Sequence, residues 1–145
     1  MPQDNTSVTL AGFELPHSIE AEQTVLGAIL IDSNVLSTVL EKLKPDAFYN
    51  EQHRELFSIM IRMFSDGSKS DIITVLNEAL ALRIFESASE GRNYLASLMS
   101  NVPSVSNIDD YCTIVSEKYY ARCLAVASQQ IMSDIASGSY DAKTL

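Results

Sequence analysis

The sequence predicts an all-α fold: a compact bundle of about five helices, called the head below, followed by a long projecting helix that begins a truncated helical hairpin. Apolar residues recur every three to four positions along most of the 145-residue chain, as in helices that bury one face. No β-hairpin signal interrupts them. The last periodic stretch runs from Asn107 to Gly138 without a breaker residue, far longer than the others.

Composition and charge indicate a soluble, cytoplasmic domain that binds other proteins. With 46% hydrophobic and 20% charged residues, the chain resembles one globular domain. It contains no apolar run of the roughly 18 residues that a membrane helix needs, and its first residues lack the basic start of a signal peptide. The formal charge is −9 and the ten lysines and arginines are scattered. Nucleic-acid affinity comes largely from basic side chains, so this segment is a poor DNA-binding candidate.

The chain divides into four predicted segments: a disordered tail at 1–14, the head at 15–105, the long helix at 106–138, and a turn with the start of the second hairpin arm at 139–145. The first helix follows Pro16, and its first turn holds Glu20 and Glu22, where the helix dipole favours carboxylates. Gly27 lies in its interior. Because glycine costs roughly 1 kcal/mol there, we expect another backbone to pass close to it.

The other head helices are predicted from their start and stop residues. These are Asp32 to Asn34 and Pro45 for the second, Asn50 and Gly67 for the third, and Asp71 or Thr74 for the start of the fourth. Ile72 to Val75 could also form a strand, but it lacks alternation and a partner strand. Phe48 lies in an aromatic loop that we expect to fold back onto the core. Phe85 to Gly91 is predicted as a loop, and Gly91 to Asn101 as the fifth helix, before Pro103.

The long helix, with Asn107 as its predicted N-cap, is about 43 Å long, whereas the head should be only about 35 Å across. Its first half carries one apolar stripe: Ile108, Cys112, Val115, Tyr119, Cys123 and Val126. Its second half carries another: Tyr120, Leu124, Ala127, Ile131 and Ile135. The second stripe is turned by roughly 120° from the first. One stripe can face the head, so the other is predicted to be a recognition surface.

No catalytic, metal or cofactor site is predicted in this chain. His17 and His53 are far apart and lack triad or metal-ligand neighbours, and His53 is expected at the surface or as a capping residue. The motifs HExxH, GxSxG and GxxxxGK[S/T] do not occur. Cys112 and Cys123 would lie about 16 Å apart on one helix, beyond the roughly 7 Å that a disulfide spans. Both are therefore predicted to be reduced packing residues.

A series of short motifs resembles the N-terminal domain of bacterial replicative DNA helicases of the DnaB family. The opening stretch matches at Pro16, His17, Ser18, Glu20, Ala21, Glu22, Gln23, Val25, Leu26, Gly27 and Asp32. Later matches are Asp46, Phe48, Tyr49, His53, Arg54, Phe57, Gly67, Asp71, Thr74, Leu80, Gly91, Tyr94, Leu95, Leu98, Val102, Pro103, Ser104, Asn107, Ile108, Tyr111, Ile114, Val115, Glu117, Lys118 and Arg122. Each motif is weak alone, but their order and spacing are specific. A family proline near Asp71 is missing, and Glu90 stands where the family has a glycine before Gly91, which affects local loops.

The resemblance implies a helical head plus a helical hairpin that pairs subunits, with the N-terminal domains forming a trimer of dimers on a hexamer. It implies that other copies of the helicase and a DnaG-type primase are partners, with a helicase loader as a further candidate. ATP, Mg²⁺, most DNA contacts and 5′-to-3′ unwinding belong to a separate RecA-like motor domain outside this chain.

The leading hypothesis is therefore a non-catalytic assembly and primase-docking domain of an ATP-dependent replicative helicase. The second stripe of the long helix is assigned to subunit or hairpin contacts, and Tyr94 and Tyr119 to partner contacts. The structural motif residues are Pro16, Glu20, Glu22, Gln23, Leu26, Gly27, Phe48, Tyr49, Pro103 and Asn107. With most of the return arm missing, we expect a monomer or a weak dimer. The alternative is a free-standing all-α protein-interaction or transcription-regulatory module, which tight, salt-sensitive DNA binding would favour.

Overall fold

The computed structural model describes residues 9–10 and 13–138, and within them the chain is built from helices. They are α1 (Ile19–Ile31), α2 (Leu36–Leu40), α3 (Glu51–Ser65), α4 (Ile72–Ala81), α5 (Ala88–Ser100) and α6 (Ile108–Ser137). Short 3-10 turns lead into α2, α3 and α6 at Ser33–Val35, Pro45–Ala47 and Val105–Asn107. The predicted all-α class is confirmed, with five helices in the head and one long helix after it.

A short antiparallel ladder precedes the helices. Its strands are β1 (Thr9–Leu10) and β2 (Phe13–Glu14), and β1 lies against α6. We predicted a disordered tail over 1–14 and no hairpin, so the ladder is a correction at these four residues. Two-residue strands are too short to leave an alternating pattern in the sequence. Residues 1–8 and 11–12 of the predicted tail, and the predicted turn and second arm at 139–145, lie outside the described residues.

Helix α1 is the centre of the head. It packs against α5 and α6, and every residue from Ala21 to Leu30 except Gln23 is buried, although the sequence predicted only one apolar side. A side chain at Gly27 would overlap the carbonyl oxygen of Leu98 on α5 and reach within 2.7 Å of Val102 Cγ2. The predicted close backbone approach at Gly27 is confirmed.

The head helices begin largely where their caps predicted. The side chains of Ser18, Asn50 and Asp71 accept hydrogen bonds from the backbone N–H groups three residues later. Helix α5 starts earlier than predicted, because Ser87 caps it and accepts a hydrogen bond from the N–H of Glu90. A serine followed three residues later by glutamate is a known N-terminal signal, so the predicted loop is wrong from residue 88 onward.

Helix α6 begins directly after Asn107 and ends at Gly138, both as predicted, but its first residue is not capped by a side chain. The Asn107 side chain makes no capping hydrogen bond. A 3-10 turn leads into α6 instead, and the hydroxyl of Ser104 accepts from the N–H of Ser106 at that turn. Gly138 ends the helix in the left-handed region, at φ 77°, which glycine adopts without strain. Within the described residues, no helix is long and apolar enough to cross a membrane.

Candidate subunit interface and the foot of the long helix

The second half of α6 leaves the head. Ile108, Cys112 and Val115 are buried and Tyr119 is half-buried, so the first apolar stripe faces the core as predicted up to this point. Its last members do not, since Cys123 and Val126 are exposed. Residues 123–137, called the arm below, are exposed except for the half-buried Ala125 and Asp134.

The predicted second stripe is exposed to solvent. Relative exposure is 62% for Tyr120, 69% for Leu124, 42% for Ile131 and 52% for Ile135, and Ala127 is exposed as well. These five residues are called the arm stripe. A row of large apolar side chains along one side of a helix is unusual for a surface that stays in water. The arm stripe is therefore the candidate interface of this chain.

A groove of about 530 Å³ lies where the arm meets the head. Its lining is mostly apolar and consists of Leu15, Tyr49, Arg54, Tyr119, Arg122, Cys123, Val126 and Ala127. Tyr119, which we predicted to face a partner, lies in this groove, and a hydrogen bond with the Cys123 thiol raises its pKa. Tyr49 lies opposite on the head.

Arg122 attaches the foot of the arm to the head. It is only 9% exposed. Its Nη1 donates to the carbonyl oxygen of Pro16 at 2.9 Å, and its Nη2 donates to that of Ala47 at 2.8 Å. The guanidinium carbon lies 5.3 Å from the ring centre of Tyr49 and 5.8 Å from that of Tyr119, within the range of cation–π attraction. Burial lowers the pKa of Arg122, and the negative charge of Glu22 opposes that shift.

The head side of this attachment is built from the residues of the recognisable motifs. The ring of His17 stacks on that of Tyr49, with centres 4.1 Å apart and planes 5° from parallel. Arg54 donates to the carbonyl oxygens of Phe48 and Tyr49, at 2.9 and 3.0 Å. The loop before α3 is thereby held in place under Arg122. Phe48 is fully buried, as predicted, and so is Leu26.

A buried polar chain lies behind this loop, and it begins at Glu22. The carboxylate accepts from the N–H of Tyr49 at 2.7 Å, from the N–H of Asn50 at 3.3 Å and from Nδ1 of His53 at 2.8 Å. Glu22 is 1% exposed and His53 is fully buried. The prediction of His53 at the surface is therefore wrong, and Glu22 joins α1 to α3 as well as lying in a first helical turn.

The chain continues from His53 to the edge of the head. Nε2 of His53 lies 2.5 Å from the hydroxyl oxygen of Tyr94, which also accepts from Nε2 of Gln23 at 3.3 Å. A carboxylate only accepts, so Nδ1 of His53 donates to Glu22, and Nε2 of the same ring shares a hydrogen bond with the hydroxyl of Tyr94. Burial raises the pKa of Tyr94. Tyr94 was predicted to face a partner; it is half-buried and its hydroxyl is directed inward.

Two other motif residues line a second, more polar cleft. This cleft of about 450 Å³ is lined by Glu20 and Pro103, together with Gln23, Thr24, Asn101 and Tyr111. Glu20 is exposed, consistent with its predicted role in the first helical turn. It takes no part in the buried chain of Glu22.

Both cysteines are free, as predicted, but their surroundings differ. Cys112 is buried, and burial raises the pKa of its thiol to about 11. Cys123 is exposed at the foot of the arm. Within the described residues, no three His, Cys, Asp or Glu side chains are grouped so that they could hold a metal ion.

Comparison with known proteins assigns the fold to a family. A family model described as "DnaB-like helicase N terminal domain" matches residues 14–117. The chain is 34% identical over 139 residues to the replicative DNA helicase DnaB of Treponema pallidum, covering 93% of this chain and 32% of that protein. It is 38% identical over 119 residues to the DnaB of Geobacillus stearothermophilus, covering 82% and 26%.

A solved structure agrees with these sequence matches. The N-terminal domain of DnaB helicase from Mycobacterium tuberculosis superimposes with a TM-score of 0.82 at 30% identity, covering 89% of this chain and 91% of that one. The chain spans about a third or less of the length of the curated relatives it matches. It belongs to the DnaB-like helicase N-terminal domain family.

Proposed function

We propose that this chain is the assembly domain of a cytoplasmic, hexameric replicative DNA helicase and pairs with another copy through the arm stripe. The motor that binds ATP and Mg²⁺ and unwinds DNA 5′ to 3′ is then a separate domain, and this domain has no catalysis of its own. Family membership supports the proposal, as do relatives named replicative DNA helicases that are about three times longer or more.

The observation that carries the proposal is the exposure of the arm stripe. Burying one Leu or Ile side chain contributes about 1.5–3 kcal/mol. The arm stripe offers three of them, Leu124, Ile131 and Ile135, together with the ring of Tyr120, all at least 42% exposed. A second arm laid alongside would bury them together.

Charge argues that the arm contacts protein rather than DNA. Residues 123–137 contain no lysine or arginine, and their one charged residue is Asp134. Contacts to phosphates depend on basic side chains. With a formal charge of −9 for the whole chain, the arm has nothing with which to attract a nucleic acid.

The test is sedimentation equilibrium of this chain up to about 1 mM, a concentration at which an association free energy of roughly −4 kcal/mol becomes visible. We expect a weak monomer–dimer equilibrium. Replacing Leu124→Ser together with Ile131→Ser should weaken it by at least about tenfold, because two apolar contacts per copy are lost. The thermal midpoint of the head should stay unchanged.

The control replaces polar residues on the other side of the arm, Gln129→Ser with Ser133→Ala, and should leave the dissociation constant unchanged. A chain that stays monomeric at every concentration would contradict the role of the arm stripe. So would a control that weakens the dimer as much as the apolar pair does.

We propose further that a DnaG-type primase docks on this domain beside Tyr119 and Tyr94. A helicase loader is a second candidate partner for the same surface. The position of Tyr119 in the groove at the foot of the arm supports this. Calorimetric titration of the chain with a DnaG-type primase tests it, and an absence of binding would remove the primase from the proposal.

A further inference from the structure

We propose that Arg122 is a directional clamp, which fixes the angle at which the arm leaves the head and whose release turns the arm without unfolding the head. The consequence for subunit pairing rests on the proposed function. The clamp itself rests only on the geometry of the foot of the arm.

A straight helix needs two separate attachment points to have a fixed direction. The first is the buried group Ile108, Cys112 and Val115, which packs into the core. The second is Arg122, seven residues or about 10 Å farther along the axis. No residue of the arm beyond Arg122 is buried. Without Arg122, no buried residue holds the rod beyond Val115. What is left there is the half-buried Tyr119 and the contact of the two-residue strand β1 with α6.

The contacts of Arg122 resist rotation as well as displacement. Its two hydrogen bonds reach carbonyl groups on separate segments, Pro16 before α1 and Ala47 before α3. Hydrogen bonds weaken steeply when they are misaligned, whereas apolar contacts tolerate sliding. The planar guanidinium also lies against the rings of Tyr49 and Tyr119. The group can keep all four contacts in only one orientation, and a lysine cannot reproduce them.

The guanidinium of Arg122 is in direct contact only with carbonyl dipoles and ring faces, and the charge of Glu22 acts on it from a distance. Among the residues that the structure describes, no carboxylate lies within ion-pair distance of Arg122. Contacts with neutral partners are weaker than a bidentate ion pair, so this attachment can be opened at a modest free-energy cost. Such an attachment fixes the direction of the arm and can still be released without breaking an ion pair.

The length of the arm amplifies a small change at its foot. Ser133 lies eighteen residues beyond Val115, which is about 27 Å along the axis. A pivot of about 20° at Val115 would therefore move Ser133 by roughly 9 Å. Displacements of this size are measurable as distances between two spin labels.

The experiment uses double electron–electron resonance on this chain, with labels at Asn77→Cys on α4 and Ser133→Cys on the arm, in a Cys123→Ser background. Cys112 is buried and stays in place. The variants are Arg122→Lys, which keeps the charge but loses the planar guanidinium with its two donors, and Arg122→Gln, which removes the charge as well. The control is Lys118→Gln, one turn earlier on the same helix. Circular dichroism of each sample reports whether the head is folded.

We expect one narrow distance distribution for the parent and for the Lys118 variant. In both Arg122 variants it should shift by about 5–10 Å or at least double in width, with the helical signal unchanged. Unaltered distances in both Arg122 variants would overturn the clamp. Loss of the folded head in both would overturn it too, since Arg122 would then be part of the core rather than a separate attachment.

The measurement is made at a concentration where the chain is monomeric, so it is independent of subunit pairing. If the arm-stripe substitutions leave association unchanged while the Arg122 variants shift the distance, the proposed function fails and the clamp stands. The reverse result retains the interface and removes the clamp.

Discussion

The two halves of α6 carry similar apolar patterns but have opposite relations to solvent. The first half is covered by the head, which buries Ile108, Cys112 and Val115, while the second half leaves Leu124, Ile131 and Ile135 exposed. The difference lies in what stands beside each half. Helix α1, the main partner of α6 in the head, has 13 residues, against 30 in α6. A helical apolar stripe therefore predicts a contact but does not say whether the same chain supplies it.

Stability and assembly are consequently separated along one helix. The head contains contacts that cannot relax, such as Gly27 against Leu98 and the buried carboxylate of Glu22. The arm has none, so substitutions there should leave the unfolding free energy of the monomer nearly unchanged.

The largest effect is expected at the closest approach in the head. Gly27→Ala places a methyl group against the carbonyl oxygen of Leu98, so α1 and α5 must move apart, at a cost of about 3 kcal/mol or more. Thermal unfolding followed by circular dichroism measures this. Gly138→Ala, at the end of the arm, is the matched control. It is strained by its φ of 77° but meets no neighbouring atom, so only the last turn should fray. A similar fall in midpoint for both variants would show that head and arm are not separate.

A smaller effect is expected from the buried chain. Glu22→Gln keeps the volume but gives three donors a neutral partner that carries hydrogens of its own. It should lower the unfolding free energy by about 2–3 kcal/mol, measured by urea denaturation. Glu20→Gln removes the exposed neighbour in the same helical turn and should cost no more than about 1 kcal/mol. Equal losses of unfolding free energy in the Glu22 and Glu20 variants would show that Glu22 acts only as an acid in the first turn of the helix.

The smallest effect concerns the cap of α4 and depends on pH. The N–H of Thr74 holds the pKa of Asp71 below its ordinary value of 3.8. A carboxylate with a lowered folded-state pKa contributes stability above pH 3.8 and loses it as the pH falls through the lower value. Asp71→Ala should therefore cost about 1 kcal/mol at pH 7. Asp71→Asn, which caps without titrating, should lose less, and its difference from the parent should disappear in acid. A difference that persists at pH 2 would contradict the role of Asp71 as an ionised cap.

The features that could be predicted from the sequence are those set by near neighbours. The caps at Asn50 and Asp71 and the stop at Gly138 each depend on residues within one helical turn. The close approach at Gly27 followed from the cost of glycine in a helix. The Ser87 cap was equally local, and the signal at Glu90 would have revealed it.

The features that could not be predicted depend on partners far along the chain. Glu22 meets His53 across 31 residues, and Arg122 reaches Pro16 across 106. A polar residue in a helix is indistinguishable from a surface residue until the fold brings its partner to it. For that reason His53 was predicted at the surface. In the sequence, Arg122, which holds the arm in place, stands out only as part of a motif.

The exposed arm stripe also determines how copies of this chain interact in salt. Each copy carries a formal charge of −9, and two such copies repel one another over about 10 Å at 0.1 M salt but only about 3 Å at 1 M. Dispersion between apolar side chains acts only near contact and is untouched by this screening. The association of two arms therefore depends on two opposing terms, the charge repulsion between the copies and the short-range attraction between their apolar side chains. Added salt screens the repulsion and should therefore strengthen association between copies, whereas it weakens the binding of a protein to nucleic acid.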